Sequence, residues 1–191
     1  TNSLPPPLFA LLQENFVSVF ETDYVVIGAG SAGCVLANRL SVNPKDEVVL
    51  LEAGGMDRNI WIHIPIGYGK NFFNRKVNWM FKTGPEPGLG GRTIDQPRGR
   101  VLGGSSSING LLYVRGQAQD YDGWAALDNQ GWSYRDVLPF FKRAEDQQRG
   151  ADAWHGVGGP LPVSDLPEPH PIADAFIASA EINGIPRNPD F

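Results

Sequence analysis

The run Tyr24-Val25-Val26-Ile27 leads straight into Gly28-Ala29-Gly30-Ser31-Ala32-Gly33. This junction of an apolar stretch with G-x-G-x-x-G constrains the chain more than any other feature. Small and helix-forming residues follow from Cys34 to Leu40, then the turn signal Asn43-Pro44, then a second apolar run, Val48-Val49-Leu50-Leu51, ending at Glu52. The order is strand, tight turn, helix, strand, acid, which is the layout of a dinucleotide-binding βαβ unit. Gly28 permits the turn, Gly30 leaves room for a pyrophosphate to approach the backbone, and Gly33 lets the helix lie close to the sheet. A helix starting near Ser31 aims free N–H groups and its positive dipole end at phosphate. Glu52 can accept hydrogen bonds from ribose hydroxyls. The alternative is a Gly-rich turn in some other α/β unit, and these residues alone do not separate one dinucleotide from another.

The remaining bulk properties mainly exclude. A net charge of −5 over 191 residues leaves no basic footprint for nucleic acid. No apolar run approaches the ~20 residues needed to span a bilayer, so no transmembrane segment is expected. No basic segment followed by an apolar one marks a signal peptide, although a processed N-terminus would look the same. Localisation stays open, leaning to a soluble, cytoplasmic protein. A single cysteine, Cys34, excludes an internal disulfide and a cysteine-based metal centre, and no metal site is expected. Its place in the first helix marks Cys34 as a small buried filler.

Along the chain, three prolines in residues 1–7 predict irregular structure. Phe9, Leu12, Phe16 and Phe20 recur at helical spacing and predict a short amphipathic helix. Residues 58–75, with Trp61, Pro65, Tyr68, Phe72 and Phe73, read as a loop-rich cover, and His63 within it as structural. A strand is expected over 77–81 and a surface loop over 84–91. Short helices are expected around 120–124 and 133–141, the latter capped by Ser133, with Val137, Phe140, Phe141 and Ala144 buried. Residues 147–153 read as a loop, His155 to Pro160 as a turn, and Leu161-Pro162-Val163 as an edge strand at most. A last helix is predicted over 171–182, with Pro171 in its first turn and Gly184 after its end. His170, among prolines, is expected to be exposed.

The second informative stretch is Pro97-Arg98-Gly99-Arg100-Val101-Leu102-Gly103-Gly104-Ser105-Ser106-Ser107-Ile108-Asn109-Gly110-Leu111-Leu112. A loop of small residues rich in N–H and hydroxyl donors can wrap closely around an anionic or planar ligand. Arg98 and Arg100 could answer phosphate charge, and Asn109 offers a donor and an acceptor to a ring edge. Apolar Leu111, Leu112 and Val114 argue against a free Gly/Ser linker.

Together these stretches resemble the glucose–methanol–choline (GMC) family of flavoprotein oxidoreductases, from about Asp23 onward. The resemblance rests on three features. They are the GAGSAG turn with Glu52 in Leu51-Glu52-Ala53-Gly54, the segment from Gly99 to Asn109 continuing to Tyr113, Gly116 and Asp122, and the run Tyr121-Asp122-Gly123-Trp124 with Gly131-Trp132-Ser133 and His155 to Pro160. Within the family the chain looks most like the bacterial alcohol and choline dehydrogenase-like branch. The resemblance implies an α/β, Rossmann-like FAD-binding domain, incomplete here, followed by the start of an α+β substrate domain. It divides the chain into an N-terminal extension (1–22), the N-terminal part of the FAD domain (23–165) and the start of the substrate domain (166–191).

By matching position, Gly28, Gly30, Ser31, Ala32 and Gly33 would hold the pyrophosphate, and Glu52, with Ala53 beside it, the ribose. Arg98 and Arg100 would lie near the cofactor, Gly103, Gly104 and Ser105 would pass the phosphate and flavin ring, and Asn109, Gly110, Leu111 and Leu112 would line the isoalloxazine. Some family members attach FAD covalently through a histidine directly before the asparagine. Ile108 stands there in this chain, so non-covalent FAD is expected. The implied reaction is oxidation of a primary alcohol to an aldehyde by hydride transfer to flavin N5, with oxygen or a quinone-type acceptor. A hydroxynitrile lyase or photodecarboxylase activity is also compatible with these motifs, as is a flavin-binding fragment or subunit with no catalysis of its own. The family's catalytic histidine motif is absent from His63, His155 and His170 and is expected beyond Phe191. A second polypeptide carrying the rest of the fold is the expected partner, beside a small-molecule alcohol.

Overall fold

The computed structural model describes residues 21–188 and Asp190. The helix expected from Phe9 to Phe20 lies outside the described residues. Contacts divide the chain into two compact units, Thr1–Leu111 and Leu112–Phe191.

In the first unit, β1 (Tyr24–Ile27), α1 (Ser31–Leu40) and β2 (Val48–Leu51) form the expected βαβ unit. The strands are parallel, with Tyr24 opposite Val48 and Ile27 opposite Leu51. Gly28 turns out of β1 at φ +93°, a left-handed conformation that glycine adopts without strain. Gly33 is buried, and a Cβ there would lie 1.9 Å from the Gly28 carbonyl oxygen. The close approach of helix to turn therefore depends on its missing side chain. Cys34 is half-buried, its Sγ 3.3 Å from the Ala29 carbonyl oxygen, and so is less enclosed than a core filler would be.

The aromatic segment after β2 is more regular than its composition suggests. It folds into two single-turn helices, α2 (Ile60–His63) and α3 (Tyr68–Asn71), joined by a 3-10 turn at Pro65–Gly67. The buried Asn71 ties them together, its Nδ2 donating to the Trp61 carbonyl at 2.9 Å.

The strand expected over 77–81 is cut short. Met80 sits at φ +61°, held by its N–H donating to Asn78 Oδ1 at 3.0 Å. Regular pairing starts one residue later, in β3 (Phe81–Lys82) against antiparallel β4 (Asp95–Gln96). The segment 84–91 forms a loop with one 3-10 turn, Pro87–Leu89. Val77, Val101 and Ile108 form the buried core here, with Ile62 packed on it.

In the second unit, α4 (Ala118–Ala126) and α5 (Tyr134–Ala144) match the expected helices and run slightly longer. The Gln117 N–H donates to Asp120 Oδ2 at 2.8 Å, and Ser133 caps α5 by accepting from the Asp136 N–H. Phe140, expected inside, is exposed. Residues β5 (Glu145–Gln147) and β6 (Leu161–Val163) pair in parallel. β5 was not foreseen, because a three-residue polar strand carries no periodic signal. The His155 to Pro160 turn packs under α5: a Cβ on Gly156 would lie 1.9 Å from the Lys142 carbonyl oxygen. Finally, α6 (Pro171–Ile182) has its predicted bounds, is capped by exposed His170, and is followed by Gly184 at φ +82°. Its apolar side chains Ile172, Phe176 and Ile182 are exposed. Among the described residues, no helix is long and apolar enough to cross a membrane.

Candidate cofactor site

The two glycine-rich stretches, far apart in sequence, meet. The Gly103 N–H donates to the Ala29 carbonyl at 2.7 Å, and Ser31 Oγ donates to Ser106 Oγ at 3.0 Å. Gly104, at φ +59°, lies so close to the first turn that a Cβ would stand 2.7 Å from Gly30 Cα. Gly99 packs on the same loop, its N–H donating to Ser105 Oγ at 3.1 Å. The Gly104–Ser107 turn is thereby laced onto the N-terminus of α1.

This junction opens into a cavity of about 770 Å³. One wall is the first turn, with Gly28, Gly30, Ser31, Ala32 and Gly33. A second is the end of β2, with Glu52 and Ala53, and a third comes from Arg98, Gly104 and Ser105. The space beside Gly30 is open: nothing lies within 4 Å of where its Cβ would be. No side chain caps the first turn of α1, and no acidic residue lies in it. Its N–H groups and dipole thus face the cavity with no side-chain cap occupying them. These features fit an extended anionic cofactor.

Glu52 has a second role beyond the expected one. Its Oε2 accepts from the Ala29 N–H and its Oε1 from the Gly54 N–H, both at 2.8 Å. The carboxylate therefore pins both turns at the cavity floor, and each oxygen keeps a lone pair for a ligand hydroxyl.

The other expected site residues lie elsewhere. Asn109 and Gly110 line a smaller cavity of about 280 Å³ with Phe72, Pro97 and Ile108, and Ser105 borders both spaces. Arg100 does not line the larger cavity but contacts two residues that do, its Nε donating to the Ala53 carbonyl at 3.4 Å and its guanidinium 5.1 Å from the Trp79 ring centre. Gly103 serves the lacing. Leu111 is exposed at φ +62°, its N–H donating to Asn109 Oδ1 at 3.0 Å, and Leu112 is exposed at the start of the second unit. The larger cavity also takes Ile27, Leu51, Gly99 and Trp79, which were not foreseen. The positions of Ile27 and Leu51, next to Gly28 and Glu52, were a usable signal. Trp79 had none, because its approach depends on hairpin pairing across Met80.

The histidines lie outside both cavities. His63 Nε2 contacts the Asp57 carbonyl at 2.6 Å, and His170 Nδ1 accepts from the Ile172 N–H at 3.2 Å. His155 belongs to a buried charged cluster in the second unit. Glu145, wholly buried, accepts from Arg115 Nη2 at 2.5 Å and from the Gly156 N–H at 3.1 Å, and it meets His155 Nδ1 at 2.9 Å. Burial works against ionising Glu145, but the His155 and Gly156 hydrogen bonds and the Arg115 charge outweigh it and hold its carboxyl below the usual range. Hydrogen bonds to Glu145 and to Asp190 push His155 up.

The sequence profile of the family described as GMC oxidoreductase matches residues 22–190. The chain belongs to the GMC oxidoreductase family. It is 48% identical over 172 residues to an oxygen-dependent choline dehydrogenase of Photobacterium profundum, a match covering 88% of this chain and 30% of that protein. Among solved structures, pyridoxine 4-oxidase from Mesorbium loti superposes with a TM-score of 0.81 at 36% identity, over 88% of this chain and 33% of that one. An FAD-dependent oxidoreductase from Chaetomium thermophilum superposes with a TM-score of 0.76 at 29% identity, over 89% and 31%. The chain thus spans about a third of the length of such GMC proteins and carries the N-terminal part of the GMC fold.

Proposed function

We propose that this chain is the FAD-binding portion of an oxidoreductase that converts a primary alcohol to an aldehyde, with oxygen or a quinone-type acceptor taking the electrons. The observation that carries the reading is the lacing of Gly103 to Ser106 onto the α1 turn, which builds one cavity from both motifs. The names of two relatives speak of choline and of pyridoxine, both of which bear primary alcohols. FAD, when bound, supplies the N5 acceptor for a hydride. The residues of this chain bind and orient it. The α1 N-terminus and the open side of Gly30 receive the pyrophosphate, Arg98 adds positive charge at the wall, and Glu52 accepts the ribose hydroxyls. Asn109, its Oδ1 engaged by Leu111, would have its amide nitrogen left to donate to the ring edge. On this reading the FAD domain runs over 23–165 and the substrate domain begins at 166.

We further propose that the cofactor is held without a covalent bond. Ile108 is 2% exposed, sits in the core and offers no nucleophile. The exposed faces of β1 and β2, with Val25 and Ile27, fit a sheet meant to be covered, since parallel sheets are buried on both sides. A second polypeptide supplying the rest of the fold is our reading of that cover.

The test is anaerobic mixing of the full-length protein with choline, pyridoxine and simple primary alcohols while following the flavin absorbance. Bleaching by at least one alcohol, with the flavin released into the supernatant after acid precipitation, is expected. Flavin that stays with the polypeptide overturns the non-covalent reading. Tightly bound flavin that no alcohol bleaches overturns the alcohol oxidation.

A further inference from the structure

Trp79 lines the larger cavity, is 43% exposed, and has no role in the reading above. Two neighbours fix where it stands. Its N–H donates to the Arg98 carbonyl at 2.9 Å, so the indole rises beside Arg98. Arg100 then bridges the Trp79 ring, at 5.1 Å, and the Ala53 carbonyl, at 3.4 Å. One guanidinium touching both places the indole at the Glu52–Ala53 end of the cavity. The α1 N-terminus, with Gly30, Ser31 and Ala32, forms a different wall.

The ring is also held. Phe81 stacks on it with centroids 5.8 Å apart and planes 8° from parallel, while Arg100 adds a cation–π contact. Among the described residues, no protein acceptor binds the Trp79 indole N–H. A fixed aromatic surface with a spare donor beside a carboxylate suited to ribose hydroxyls has the chemistry to recognise a nucleoside.

We infer that Trp79 is a cofactor-contacting residue that forms the wall for the adenosine half of the dinucleotide. The inference rests on the FAD reading above and goes beyond it by dividing the cavity into halves. Arg100, from this position, acts on the cofactor through Trp79 as a positioning residue.

The test separates the halves of the cofactor. Affinities for FAD, for ADP and for FMN are measured by titration on the flavin-stripped full-length protein and on its Trp79→Ala and Trp79→Phe variants. Trp79→Ala should weaken FAD and ADP binding alike by about tenfold, in line with lost aromatic contact to a base. FMN binding should not change. Trp79→Phe keeps the ring and loses the donor, so it should lose less than Trp79→Ala. A loss confined to FMN, or unchanged ADP affinity in both variants, overturns the inference while leaving the FAD reading intact. Failure of the native protein to bind FAD or ADP overturns both. If Trp79→Ala does not fold, ADP titration of tryptophan fluorescence decides the question. The quenching seen in the native protein should be absent from Trp79→Phe, and its persistence overturns the inference.

Discussion

Gly30 and Gly33 belong to one motif but answer to different constraints. A Cβ on Gly33 would strike the Gly28 carbonyl at 1.9 Å, whereas one on Gly30 meets nothing within 4 Å. Gly33→Ala should therefore destabilise the protein by about 2 kcal/mol or more, because backbone must move. Gly30→Val should leave unfolding nearly unchanged and still weaken FAD binding by more than tenfold, since its side chain fills the proposed pyrophosphate space. Urea titration and flavin titration of both variants check the contrast, and equal effects would undo it. The sequence already assigned these two glycines different roles, since the G-x-G-x-x-G pattern encodes them locally. The double use of Glu52 was not legible. Its bonds to Ala29 and Gly54 depend on how two turns meet.

Among the elements, those with a local code were readable. The strands β1 and β2, the helix α1, the Ser133 cap of α5 and the bounds of α6 follow from periodicity, caps and glycine positions. The break at Met80 and strand β5 were not, because each is set by partners distant in sequence. β5 carries the buried Glu145, whose cluster gives this element a pH signature. His155 is raised above its ordinary 6.5, so its contribution is complete below that value and is lost as pH rises through the raised one. Glu145 is lowered from 4.5, so its contribution is present above that value and is lost as pH falls through the lowered one. The two contributions overlap in mildly acidic solution. The gap in stability between the native protein and His155→Gln should be widest near about pH 5.5 and shrink above neutrality. Glu145→Ala, which strands Arg115, should cost about 3–5 kcal/mol. Denaturant unfolding across this pH range measures both, and a gap independent of pH would refute the assignment.

For the whole molecule, the question is what covers the apolar surface left by two short parallel strands. Ile27 is 85% exposed at the mouth of the cavity. A parallel sheet is expected to have such positions covered by further strands and helices. Native mass spectrometry should therefore find this chain with additional polypeptide and one FAD. A flavin-bearing species whose only polypeptide is this 20.8 kDa chain would instead mean that the chain binds the cofactor unaided. The family was legible because both of its glycine-rich signatures fall within this stretch. The substrate was not, because neither cavity is lined by a histidine, and Glu52, the carboxylate in the larger one, is already engaged by the Ala29 and Gly54 N–H groups.

The hydroxyl pair Ser31–Ser106 joins positions 75 residues apart. On a ribosome the chain emerges in one direction, so the βαβ unit leaves the exit tunnel before the Gly104–Ser107 turn that roofs its cavity. At 5–20 residues per second the roof follows roughly 4–15 s later. Until Ser106 has left the tunnel the α1 turn lacks this partner, so the cavity that both motifs line cannot be complete before that moment.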